Sequence, residues 1–306
     1  MEETLKQLEA AISKRKSTRS FENKEISKPD RQKLEEFIKN IPAILPFDYD
    51  VNIILGPEDN KKAVFLINTA SDFAAIISND SIKSQAMAGF AGELFVLYCQ
   101  NIGISTCWIG AFKRNKAESI ISGCCPGYNR TDQKMTGINI SAKKILCLVA
   151  LGYNSQDKGF INKVTKKLFS SKRKSIEESL ARDSLKEFPE NIRYGLELAL
   201  RAPSARNRQY WYFKVLNIEK QDKIQRGVAG DNIVWAQDIS AERNGRMGYA
   251  VEIGRRKELG SIGWPHPDLD IGIAASHFWL GLKSRDIAYS INIEEKEGRA
   301  VWEFLI

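Results

Sequence analysis

Histidine is almost absent from this chain, with two residues in 306, His266 and His277, and that scarcity excludes a histidine-rich metal centre. Cysteine is nearly as rare. The five residues Cys99, Cys107, Cys124, Cys125 and Cys147 form an odd set with no Cys-x-x-Cys spacing, which argues against a disulfide framework and against a zinc ribbon. The adjacent pair Cys124-Cys125, flanked by Gly and Pro, reads as two ordinary thiols. No run approaches the roughly 20 apolar residues that a membrane span requires. The start Met1-Glu2-Glu3-Thr4-Leu5-Lys6 reads as a helix start with mixed charge, not a leader. The expectation is a cytoplasmic protein with no membrane partner.

What is present is ordinary for a globular chain: 43% hydrophobic and 27% charged residues, with length for one large core or two half-size ones. A net charge of +8 favours anionic partners. The basic residues are scattered, however, and their densest cluster, Lys163 to Lys174, reads either as a solvated connector or as a phosphate-contacting arm. Scattered charge without a recognised binding motif makes no case for nucleic acid.

Residues 2–14 and 29–40 read as helices, the second with Ser27 as N-cap and Pro29 in its first turn. A strand is expected at Tyr49 to Leu55. Ile82, Ala86, Phe90, Leu94, Phe95, Tyr98 and Ile102 recur at helical spacing, predicting a long buried helix over 82–102. Gly103 ends it, and Ile104 to Ile109 reads as a strand. The run Leu146 to Leu151 is continuously apolar, as in a central strand covered on both faces.

The second half repeats this plan. Arg15-Lys16-Ser17 recurs as Arg173-Lys174-Ser175, the span Lys33 to Leu55 as Tyr194 to Leu216, and the span 89–109 as Leu269 to Ile291. The pattern predicts one pseudodimer over 1–306: half one at 1–165, a basic connector at 163–174, and half two at 175–306. Each half lacks what the other keeps. Glu177 stands where half one has Arg19, and Ile41-Pro42-Ala43-Ile44 stands where half two has Ala202-Pro203-Ser204-Ala205. One ligand site per chain is therefore expected, at the junction of the halves.

Three segments carry the chemistry. Arg15, Lys16, Ser17 and Arg19 offer cations and a hydroxyl suited to a phosphate dianion. The loop Ala202 to Trp211 presents Ser204, Asn207 and Gln209 with little bulk around them, a set that could bond the polar edge of a flat heterocycle, or form a turn with a helix cap. The segment Gly103 to Phe112 places Gly110 where backbone can approach a ring. Its Trp108 reads as core or as a cofactor wall, and Cys107 as an inert buried thiol. A flavin mononucleotide (FMN) site is the reading that unites them.

The chain resembles the nitroreductase superfamily, in particular the subgroup whose two half-subunits are fused in one polypeptide. The resemblance rests on Arg-Lys-Ser-Thr-Arg at 15–19, Gly92-Glu93, Gly-Ile-Ser-Thr-Cys-Trp-Ile-Gly at 103–110, Ala-Pro-Ser-Ala-Arg-Asn-Arg-Gln at 202–209 and Leu-Asp-Ile-Gly-Ile-Ala at 269–274, in order along nearly the whole chain. It implies an α+β fold, an α/β sandwich of two diverged halves with helices around antiparallel-dominated sheets. It also implies an FMN-dependent oxidoreductase that takes electrons from NADH or NADPH and passes them, ping-pong fashion through flavin N5, to a small aromatic acceptor such as a nitro compound or quinone. Carried over by motif, the FMN contacts are Arg15, Lys16, Ser17, Arg19, Thr106, Trp108, Ile109, Gly110, Pro203, Ser204, Ala205, Asn207 and Gln209, with Lys172 and Arg173 as the basic pair. No side chain is required as general acid or base. A monomer is expected, since fusion replaces dimerisation. The alternative is a protein that binds or sequesters FMN without turnover. Tyr210 replaces the usual Pro before the loop Trp, and Arg206 and Arg208 are additions to the family pattern.

Overall fold

The computed structural model describes residues 2–48, 50–56, 70, 72–124, 143–155, 172–218, 248–257 and 264–306. Cys125, the Cys124 side chain and most of the basic cluster at 163–174 lie outside them, as does the expected boundary at 165.

Helix α1 (Glu2–Lys14) has acids in its first turn and Lys14 in its last, charges that suit the helix dipole, and it buries Leu5, Leu8, Ala11 and Ile12. Helix α2 (Lys28–Ile44) starts at Ser27, whose Oγ accepts the Asp30 N–H at 3.2 Å. It continues through Pro42, past the expected end. A proline so close to the C-terminus still lets the helix finish its last turn.

The strands form two four-stranded sheets. The first comprises β1 (Val51–Leu55), β2 (Asp72–Ser78), β3 (Ser105–Ile109) and β4 (Lys144–Gly152), in the order β1-β2-β4-β3. The second comprises β5 (Trp211–Ile218), β6 (Gly248–Arg255), β7 (Ser290–Lys296) and β8 (Arg299–Leu305), in the order β5-β6-β8-β7. Every pairing in both is antiparallel. The identical strand order is the internal repeat expressed in three dimensions. The halves differ in their last connection. Helix α4 (Arg114–Cys124) follows β3 in the first, whereas a tight hairpin joins β7 to β8 with Glu297 and Gly298 both at positive φ.

Strands β2 and β4 are buried on both faces, as the apolar run at 146–151 predicts. Ala74, Ile76, Val149 and Leu151 face the large core, while Phe73, Ala75, Ile77, Leu148 and Ala150 face a second cluster closed by Ala117 and Ile121 of α4. Helix α3 (Ile82–Asn101) and α7 (Pro267–Ser284) are apolar nearly all round and pack on each other at the centre, with α1 across both. Their approach is backbone to backbone. A Cβ built on Gly89 would lie 1.9 Å from the Leu269 carbonyl oxygen, and one on Gly272 would lie 1.7 Å from that of Ala86. Two short elements complete the second half, α5 (Ile176–Ser179) and α6 (Glu190–Leu200), the latter packed on α7. One core thus draws on both halves.

Candidate functional site

The arm after α1 runs along the free edge of β3. Ser17 and Thr106 form a parallel bridge, and the Thr18 N–H donates to the Thr106 carbonyl at 2.9 Å. Two of the three expected segments therefore meet. Within the arm Arg15 is buried, Lys16 exposed, and Ser17 and Arg19 half-buried. Burial pushes the Cys107 thiol up against the pull of Arg19 and Arg15, which places both cations beside β3 and leaves Cys107 an inert thiol. Cys99 and Cys147 are also buried and their thiols are raised by desolvation.

The third segment joins through the basic pair. Arg173 donates from Nη1 to the Ala202 carbonyl at 2.7 Å and from Nη2 to that of Arg201 at 3.2 Å. Burial, and then the neighbouring Arg15 guanidinium, lower Arg173 to about 10, against the pull of Glu93. Arg15 and Arg173 thus approach one another from the two halves of the chain. Arg15 is lightly engaged: its Nη1 reaches Ser17 Oγ at 3.4 Å, and its buried Nε has no hydrogen-bond partner among the described residues, only the Glu93 carboxylate at 3.8 Å.

The loop at 202–209 is wound tightly, with Arg206, Asn207 and Gln209 all at positive φ. Left-handed backbone at non-glycine residues persists only where surrounding bonds over-determine it. Those bonds are present. The Ala205 N–H donates to Asp270 Oδ2 at 2.8 Å, and the Gln209 N–H to Ser204 Oγ at 3.0 Å. Asp270 is fully buried, and desolvation, helped by Asp268 and opposed by the Ala205 N–H, raises it to about 7.

Gln209 departs from expectation. Its carboxamide faces inward, donating to the Lys172 carbonyl at 2.9 Å and accepting the Lys174 N–H at 2.9 Å, while Lys174 Nζ donates to its carbonyl, also at 2.9 Å. These bonds latch the basic segment at 172–174 to the loop. Asn207 Nδ2 reinforces this at 3.2 Å from the same Lys172 carbonyl. Ser175, matched to Ser17 by the repeat, caps α5 in a capping box with Glu178. Divergence has therefore turned the second copy of the arm to structural use.

Two aromatic rings pack against glycines nearby. Trp108 turns its indole inward, with Nε1 donating to Glu93 Oε2 at 2.8 Å. Gly92 exists to admit it, since a Cβ there would lie 2.5 Å from the indole. The ring that occupies the space over Gly110 is Trp264, at 1.9 Å from a Cβ built there, and Trp264 was not anticipated from the sequence. Nor was His277. It is fully buried, with Nδ1 at 3.0 Å from the Leu198 carbonyl and Nε2 at 3.0 Å from Glu93 Oε1. The available signal was one ionisable residue within the apolar middle stretch of each of two helices, Glu93 in α3 and His277 in α7.

The molecule is therefore an α+β protein whose two sheets share one strand order, with the arm at 15–19 on the edge of β3 and Arg173 bonded to the start of the loop at 202–209. A family model described as "Putative TM nitroreductase" matches residues 7–282, and the chain belongs to that nitroreductase family of oxidoreductases. Among solved structures it is similar to a "putative nitroreductase" from Thermotoga maritima, with 19% identity over 97% of this chain and 92% of that one and a TM-score of 0.51. It is also similar to an FMN-dependent nitroreductase from Clostridium difficile R20291, at 21% identity over 48% of this chain and 88% of that one, with a TM-score of 0.33. A nitroreductase with bound FMN from Bacteroides fragilis aligns at 13% identity over 49% and 89%, with a TM-score of 0.33. No curated protein matches the sequence.

Proposed function

We propose that this protein is an FMN-dependent NAD(P)H oxidoreductase with one cofactor site per chain, between its halves, acting on a small aromatic acceptor such as a nitro compound or quinone. The observation that carries the reading is the pairing of Arg15 with Arg173. Burial, and then the buried Arg15 guanidinium as a like charge, lower the half-buried Arg173, and of the two Glu93 faces Arg15 alone, with its carboxylate 3.8 Å from Nε. A phosphate dianion supplies what is missing, and guanidinium forks are suited to it. The buried, unpartnered Nε of Arg15 fits the same reading.

In this arrangement Arg15 and Arg173 take the phosphate, with Lys16, Ser17 and Lys172 at its margin. Arg19, beside β3, brings positive charge towards the pyrimidine side of the ring, where it favours the reduced anion. The backbone at Thr106, Ile109 and Gly110 and the loop Pro203, Ser204, Ala205 and Asn207 orient the ring from opposite sides, while Trp108 and Trp264 exclude water. FMN itself, when bound, supplies hydride acceptance and onward electron transfer. The protein then contributes position and charge. The chain functions as a cytoplasmic monomer on this reading, because α3 and α7 already bury the surface that a dimer would share.

The test is an absorption spectrum after incubation with FMN and desalting, followed by anaerobic NADH or NADPH. Bands near ~450 nm at about one flavin per chain, bleached by a nicotinamide, are the expected result. Retained but unbleached flavin would leave a binding protein without turnover, and a colourless sample would end the flavin reading.

A further inference from the structure

Glu93 stands at the crossing of four separate pieces of this molecule. It is on α3, wholly buried, and its two carboxylate oxygens are shared out. Oε2 accepts the Trp108 indole N–H from β3 at 2.8 Å, while Oε1 faces His277 Nε2 from α7 at 3.0 Å and Arg15 Nε from the arm at 3.8 Å. His277 cannot drift, because its Nδ1 is spent on the Leu198 carbonyl at 3.0 Å. That carbonyl is an acceptor only, so Nδ1 donates to it and the ring is fixed with Nε2 towards the carboxylate. A carboxylate fixed from two sides is a rigid anchor for its third neighbour. The third neighbour is Arg15, whose Nε faces the carboxylate at 3.8 Å while its Nη1 reaches Ser17 Oγ at 3.4 Å.

We propose that Glu93, clamped by Trp108 and His277, is a positioning residue for phosphate recognition: it holds the Arg15 guanidinium buried beside Ser17 before any ligand arrives. The inference rests on the flavin reading for its cofactor, but on the side chains alone for its geometry. A buried arginine without a counter-charge is strongly disfavoured and turns towards water. Removing the Glu93 charge should therefore release Arg15 in the free protein, and binding would then have to recover it. Simple electrostatics predicts the opposite, because deleting a negative charge near a cationic site should tighten anion binding. The two accounts differ in sign.

The experiment compares FMN with riboflavin, which lacks the phosphate, on wild type, Glu93→Gln, Arg15→Ala and the double variant, reading flavin fluorescence. Glu93→Gln should weaken FMN by about tenfold or more, as expected for loss of a charged contact, and leave riboflavin unchanged. The double variant should bind FMN no more weakly than Arg15→Ala alone. Equal weakening of both flavins would reduce Glu93 to a packing role, and tighter FMN would establish the electrostatic account; either result overturns the proposal. If Glu93→Gln does not fold, His277→Asn keeps a donor near Leu198 and loses the clamp, and should show the same selective loss, smaller in size. Inorganic phosphate, titrated against the apoprotein and read as a shift in melting temperature, separates this inference from the flavin reading. Equal phosphate shifts in wild type and Glu93→Gln would sink the proposal even if FMN binds, whereas a diminished shift would support it even in a protein that takes no flavin.

Discussion

Asp270 shows how one buried carboxyl can set the pH response of a site. It accepts the Ala205 N–H that pins the strained loop, and burial raises it from the ordinary carboxylate range to about 7. The folded chain therefore binds a proton that the unfolded chain has already released at pH values between about 4 and 7. Stability from this group is fully present below the unfolded pKa and declines as pH rises through the folded one. A shift of this size corresponds to a few kcal/mol at most, on the order of 1.4 kcal/mol per unit. Asp270→Asn keeps an oxygen for Ala205 and cannot ionise. Melting temperatures measured from pH 4 to 8 should fall with rising pH more steeply in the wild type than in Asp270→Asn; parallel curves would remove Asp270 as the source.

At the scale of elements, the crossing of α3 and α7 depends on absent side chains. A Cβ on Gly272 would meet a backbone oxygen at 1.7 Å, an atom that cannot swing aside as a side-chain tip could. Gly272→Ala must push the helices apart, and overpacking of this kind costs about 3 kcal/mol or more. Gly123, in α4, has nothing within 4 Å of its Cβ position, and Gly123→Ala should instead stabilise by about 0.5–1 kcal/mol through helix propensity. Urea midpoints of the two variants should move in opposite directions. Both long helices were legible, α3 because its apolar residues recur at helical spacing and α7 as the repeat of that span, and Ser27 was legible as a cap. Strands β2, β6 and β8 and helix α4 were not read directly. Asp72–Ser78 is uniformly apolar between its first and last residues, and a short apolar run does not reveal its period. The arm, the strand edge and the loop were each identified from residue types. The inward turn of Gln209, the contact between Trp264 and Gly110, and the link from Glu93 to His277 were not, because each depends on how distant segments cross. His277 and Glu93 are 184 residues apart, and no local pattern encodes that meeting.

The molecule is built around one shared core despite its doubled plan. Its main core includes Leu94, Phe95 and Val149 from the first half and Leu269, Phe278 and Trp302 from the second, in a single cluster. Phe90 of α3 lies 5.4 Å from Trp279 of α7 and 5.2 Å from Trp302 of β8, ring centre to ring centre. Separating the halves would expose an apolar face on each central helix, at a loss of about 25 cal/mol for every Å² returned to water. It would also leave Glu93 and His277 unpaired in opposite pieces, which breaks a buried polar pair from both sides. Residues 172–306 produced alone should therefore be insoluble or molten, with dye-binding apolar surface and no sharp thermal transition, even though they contain a complete four-stranded sheet. Co-expression with residues 1–171 should restore a soluble one-to-one complex, since the missing face and the missing carboxylate return together. A second half that melts sharply by itself would show that the repeat preserves two independent domains, and the site between them would then be a docking interface rather than part of one core.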